Sequence, residues 1–255
     1  GCAVLLPLRP PDYRARVITF GGSPEGGGQG LVTETTEIID LDEQYPTWRY
    51  TNPMREKRVH AVGVTLPDGN ILVVGGTRRA RFVDAVHLAE VFDPETETWR
   101  DLAEMKIPRG YHATAILLPD GRVLCSGTTP YGKQELRLEV YSPYYLFRGP
   151  RPEVSDVPER VTWGETVQVH AACPEDRPAR VALMRPGAMT HAFDMESRYV
   201  ELEFEQTGED ELAVTLPPDA HVAPPGYYML FVLNSRGVPS VGRFLRLDIA
   251  EVRLL

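Results

Sequence analysis

Short apolar or alternating runs, each closing on small residues, follow one another along nearly the whole of this 255-residue chain. "VITFGGS" (residues 17–23), "ILVVGGT" (71–77) and "RVLCSGT" (122–128) each read as a strand that ends in a turn. Their turns begin at Gly21, Gly75 and Ser126, in steps of 54 and 51 residues. A second marker keeps nearly the same step: "EIIDLDEQYPTW", "EVFDPETETW" and "EVYSPYYLF" begin at Glu37, Glu90 and Glu139, 53 and 49 residues apart. Two markers holding one period indicate a repeat array, which accidental similarity within an ordinary sandwich would not produce.

The unit so defined runs strand, Pro-Asp-Gly turn, strand, small-residue pair, strand, acidic turn, Trp. That is the layout of a four-stranded antiparallel blade of a kelch-type β-propeller, with Trp48 and Trp99 expected to pack between blades. Residues 1–149 hold about three such blades, whereas closed propellers have roughly four to eight. An open arc would expose sheet faces and edges. The expectation is therefore the C-terminal part of a larger propeller, its missing blades supplied by a longer precursor or by another polypeptide. The abrupt start at Gly1 on "AVLLPL" points the same way.

Beyond "YSPYYLFRGPRP", read as a linker, the repeat stops. "TVQVHA", "ARVALMR", "YVELEFEQ", "ELAVTLP", "GYYMLFVLN" and "FLRLDIAEV" predict six short strands, so residues 150–255 read as an immunoglobulin-like β-sandwich without the inter-sheet disulfide. Tyr227 and Tyr228, neighbours on one strand, should be one exposed and one buried. The whole chain is thus all-β. One connection, "PGAMTHAFDMES" (186–197), is long for a hairpin and carries His191, which marks it as a functional loop.

With 36 acidic and 27 basic side chains, a net charge of -9 and no basic cluster, the chain is a poor partner for nucleic acid. No run approaches the roughly 18 apolar residues of a membrane span. Cys2, Cys125 and Cys173 are too few and too irregular for a disulfide framework or thiolate zinc site, although one bridge is possible; Cys2 and Cys125 read best as buried small hydrophobes. Hydrolase motifs are missing, and "GGSPEGGGQG" (21–30) precedes no helix that would make it a phosphate cradle.

The candidate chemistry lies in two repeat copies, "KRVHAVGVTLPDGNILVVGGT" (57–77) and "PRGYHATAILLPDGRVLCSGT" (108–128). His60 matches His112, and Val59 stands where the second copy has Tyr111. Neighbours on a regular strand point to opposite faces, so Tyr111 and His112 can face one site only from irregular lead-in backbone.

Taken in order, "RGYHATAILLPDGRVL", "YSPYYLF", "THAFDMESR" and "PPGYYMLFVLNSRGVPSVG" resemble the copper radical oxidases, the galactose oxidase and glyoxal oxidase family. The resemblance covers essentially the whole chain, as the last propeller blades plus the early-set sandwich domain. It implies one copper ion ligated by Tyr111, His112 and His191, with Tyr111 as the axial residue that takes the substrate hydroxyl proton; the upstream His60 reads as a polar residue near the channel in preference to a ligand. Two imidazoles and a phenolate suit Cu(II) in a tetragonal field. The implied reaction is oxidation of an aldehyde, primary alcohol or carbohydrate by O2, releasing hydrogen peroxide, in a secreted protein. The family's Cys-Tyr cross-link, which stores the radical, has no match in this chain, so the chain should not complete an oxidase alone. The alternative is a noncatalytic propeller and sandwich module that binds carbohydrate or protein.

Overall fold

The computed structural model describes residues 1–23, 31–79, 83–128 and 134–249; most of the Gly-rich loop and the end of the last predicted strand lie outside them. Three sheets form the first part. β1 (Cys2–Leu5), β2 (Arg16–Phe20), β3 (Thr36–Asp40) and β4 (Arg49–Thr51) make an antiparallel meander. β5 (Val62–Thr65), β6 (Ile71–Val74), β9 (Leu88–Asp93) and β10 (Thr98–Glu104) make a second, with β7 (Thr77–Arg79) and β8 (Val83–Ala85) as a separate ribbon. β11 (Ala113–Leu117), β12 (Val123–Gly127) and β13 (Glu139–Tyr141) form the third. The three first strands pack in series, β1 on β5 and β5 on β11, so the sheets stack face to face about an inner edge.

This stacking explains the sequence pattern. Ile71 and Val73 of β6 enter one core with Cys2, Val4, Ile18 and Phe20, while Leu72 and Val74 enter a second with Ala115, Val123 and Cys125. A strand covered on both faces is apolar throughout, hence "ILVV", whereas β2 and β12 alternate. Trp99 packs against Phe20 and Phe92, at ring separations of 5.9 and 5.0 Å, and donates its indole N–H to Asn52 O at 2.9 Å. It joins adjacent sheets as expected. Trp48 departs from the expectation: it is 48 % exposed, because among the described residues no sheet covers its side of the first meander.

A short 3-10 helix (Tyr144–Phe147) leads into the sandwich. There β14 (Glu153–Asp156), β16 (Thr166–Ala172), β22 (Glu211–Thr215) and β21 (Phe204–Gln206) form one sheet. β15 (Arg160–Val161), β24 (Arg243–Leu247), β23 (Gly226–Asn234), β17 (Pro178–Met184) and β20 (Tyr199–Leu202) form the other. The single strand predicted at "YVELEFEQ" is two, β20 and β21, because the chain changes sheets at Glu203. As the alternation requires, Tyr228 is buried and Tyr227 exposed.

The five-stranded sheet is also covered on both faces. One lines the sandwich core; the other, with Ala182, Met184, Met229 and Phe231, packs against Leu117 of β11. Both Pro-Asp-Gly turns dock there. Gly242 N donates to Pro119 O at 2.7 Å, and Arg180 Nη1 donates to Asp68 O at 2.6 Å. The supposed linker is a strut: Tyr145, fully buried, donates its hydroxyl to Gly121 O, and Tyr144 donates to Asp68. Burial raises the Asp68 carboxyl above its usual range, against the lowering effect of Tyr144 and Asn70. Asp68→Ala is expected to cost about 1–3 kcal/mol by stranding those donors, read as a lowered urea midpoint.

Candidate functional site

The lead-ins to β5 and β11 begin with equivalent arginines. Gly22 N donates to Arg58 O at 2.8 Å and Gly76 N donates to Arg109 O at 2.7 Å. Both guanidinium groups reach the small-residue turn of their own repeat, Arg58 Nη1 to Gly75 O at 3.0 Å and Arg109 Nη1 to Gly127 O at 2.7 Å. The following residues are also equivalent, since Val59 exchanges backbone hydrogen bonds with Thr77 while Gly110 N donates to Thr128 Oγ1 at 2.9 Å. His60 and His112 then occupy the same left-handed conformation, each with φ 61°. Val59 is therefore the counterpart of Gly110 rather than of Tyr111. Tyr111 is an inserted residue, which the spacing Arg-Val-His against Arg-Gly-Tyr-His records in the sequence.

The insertion makes Tyr111 and His112 the corner of a turn closed by Ala113 N donating to Gly110 O at 3.0 Å. Off the strand, neighbouring side chains no longer diverge. The phenol and imidazole stack, with centroids 3.8 Å apart and planes 30° from parallel.

His191 arrives from the sandwich. Residues 186–197 contain the hairpin β18 (Met189–Thr190) and β19 (Phe193–Asp194), whose tip is His191 and Ala192 at φ 50° and 63°. Two successive left-handed residues give the turn whose twist suits a two-residue hairpin, though without glycine each costs about 1–3 kcal/mol. The surroundings hold it: Asp194 accepts from Ala188 N at 2.8 Å and Glu196 N at 3.0 Å, β18 packs on β11, and β19 packs on β1 and β5. The hairpin thus lies across all three inner strands.

There His191 meets the stacked pair, 5.1 Å from His112 at 88° and 6.0 Å from Tyr111, ring to ring. Thr190 Oγ1 lies 2.8 Å from His191 Nδ1, a bond that orients the imidazole and leaves Nε2 for a ligand. Sequence reasoning missed this role of Thr190, although the Thr-His pair was visible. His60, half-buried, adds a third imidazole 5.0 Å from Tyr111. Among the described residues no three His, Cys, Asp or Glu side chains group as a metal site, and the Tyr111 phenol is the third side-chain donor beside His112 and His191. Two imidazoles and a phenol from separate elements are a mixed N/O set that fits Cu(II). The cysteines stand apart. All three are free, and burial pushes the thiols of Cys2 to about 11 and Cys125 to about 12. Both are core residues, Cys2 facing Gly63 on the neighbouring strand.

Residues 1–145 match the family described as Glyoxal oxidase N-terminus, and residues 151–247 match the Galactose oxidase-like, Early set domain. The chain belongs to the glyoxal oxidase and galactose oxidase family. An aldehyde oxidase, GLOX, of Vitis pseudoreticulata is 32 % identical over 278 residues, covering 97 % of this chain and 53 % of that protein. Galactose oxidase of Gibberella zeae is 31 % identical over 248 residues, covering 91 % of this chain and 36 % of its own. Among solved structures, a fungal alcohol oxidase in complex with copper superimposes with a TM-score of 0.87 at 27 % identity, covering 98 % of this chain and 54 % of that one. The chain therefore spans between about a third and about half of the length of these relatives, and its all-β fold is that of the alcohol oxidase over the matched part.

Proposed function

We propose that this chain carries the copper-binding part of a copper radical oxidase, which oxidises an aldehyde or primary alcohol with O2 and releases hydrogen peroxide. The observation that carries the reading is the convergence of Tyr111 and His112, from the lead-in to β11, with His191, from the sandwich hairpin. In this reading residues 1–149 are propeller blades and residues 150–255 the early-set sandwich. The three side chains hold one copper ion, which supplies the one-electron chemistry with O2 that no bare side chain performs. Tyr111 Oη accepts the substrate hydroxyl proton, Thr190 keeps the His191 ring in place, and the hairpin holds the sandwich donor against the inner strands.

The radical-storing Cys-Tyr half belongs to further blades, on a longer precursor or another chain. The exposed apolar side chains Tyr45 and Tyr50 by the first sheet and Leu136, Leu138 and Val140 by the third support that requirement, as sheet flanks suited to stacking. Secretion follows from the family and from a peroxide product.

The test is the Cu(II) EPR spectrum of the full chain with one equivalent of copper. A tetragonal signal with hyperfine structure from two imidazole nitrogens is expected. An aqueous-like signal would overturn the reading and leave a noncatalytic propeller and sandwich module that binds carbohydrate or protein.

A further inference from the structure

Tyr111 sits on an inserted residue at a turn, off the strand ladder, and its ring is contacted by what packs around it. Three imidazoles do so, at ring separations of 3.8 Å for His112, 5.0 Å for His60 and 6.0 Å for His191. His112 and His191 are exposed, whereas His60 is half-buried between near-fully buried neighbours, Arg58, Val59 and Ala61. Its backbone is pinned on one side by the Val59–Thr77 pairing and on the other by β5. His60 also holds a left-handed φ of 61°, which costs about 1–3 kcal/mol for a residue with a Cβ. Glycine would meet that demand at lower cost, yet repeat two presents a ring at this corner.

We infer that His60 is a positioning residue for Tyr111: its ring, held half-buried on the lead-in to β5, is the wall that keeps the phenol stacked on His112 and aimed at the site. The tilt of 62° between the rings is an edge-on aromatic contact, a geometry that an apolar ring can also make. This inference rests on the copper-site reading for its consequence but not for its geometry, and the two can fail separately.

The experiment compares His60→Ala and His60→Phe in the full chain. In the metal-free protein, tyrosine-ring carbon-13 NMR, with the Tyr111 signal assigned by Tyr111→Phe, reads the stacking directly. The Tyr111 resonance should shift and average in His60→Ala and stay near its original position in His60→Phe. With added Cu(II), His60→Ala should bind ~10-fold more weakly, the scale of lost outer-shell support, and His60→Phe should bind close to the unsubstituted chain. An unchanged Tyr111 resonance in His60→Ala would overturn the inference. Equal impairment in both variants would overturn it as well, by showing that an imidazole nitrogen and not a ring is required. Loss of copper binding in the unsubstituted chain would instead remove the copper-site reading, leaving the NMR comparison to decide the role of His60.

Discussion

Arg58→Ala is expected to destabilise the protein by about 3–5 kcal/mol, the cost of leaving one partner of a buried ion pair uncompensated. Arg58 and Glu90 are both 0 % exposed and paired with each other. Arg58 also donates to Gly75 O at 3.0 Å and Leu88 O at 3.1 Å, and Glu90 accepts from the backbone N–H of Arg55 at 2.7 Å. Together they tie the lead-in of β5 to the small-residue turn and to β9. Burial lowers the Arg58 pKa, with Glu90 opposing, as expected of a charge that needs its partner to remain in the interior. Removing the guanidinium strands the carboxylate and the carbonyls of Glu56, Gly75 and Leu88 at once. A domain is stable by about 5–15 kcal/mol, so the loss should appear as a large fall in the urea midpoint. The double variant Arg58→Met with Glu90→Leu should recover much of it, because an apolar pair of similar volume carries no desolvation penalty. A single variant within about 1 kcal/mol of the unsubstituted chain would show that water reaches this pair.

His191→Ala should weaken Cu(II) binding by at least ~100-fold, beyond the range typical of residues that only support a ligand. In the proposed copper site His191 is the donor from the sandwich, and it is presented from an exposed tip whose turn is already committed by the flanking strands and by Asp194. Alanine at φ 50° retains the strain of the turn. His191→Gly relieves it and is therefore the cleaner variant. Both should lose copper, measured by isothermal titration with EPR, while His191→Gly melts at or above the temperature of the unsubstituted chain. Retained affinity in both variants would take His191 out of the ligand set.

Much of the architecture was legible because period-two patterning and turn chemistry act locally. The repeat step, the apolar "ILVV" strand and the exposed and buried Tyr227 and Tyr228 follow from which faces of a sheet meet water. Local pattern erred where the burial partner lay elsewhere. Trp48 has the same local signature as Trp99, yet only Trp99 finds a neighbouring sheet, and "YVELEFEQ" alternates without interruption although its halves pair in different sheets.

By itself, the sequence determined the all-β class, the repeated strand pattern and the residue types Tyr-His and Thr-His that suit a metal. Only the tertiary structure decided that these pairs meet. A one-residue insertion turns Tyr111 off the strand, left-handed corners carry His60, His112 and His191, and a hairpin 79 residues beyond His112 crosses the inner strands to bring His191 to the others. Side-chain direction at such corners is set by φ and by packing against distant elements, and neither is written in the polarity of neighbouring residues.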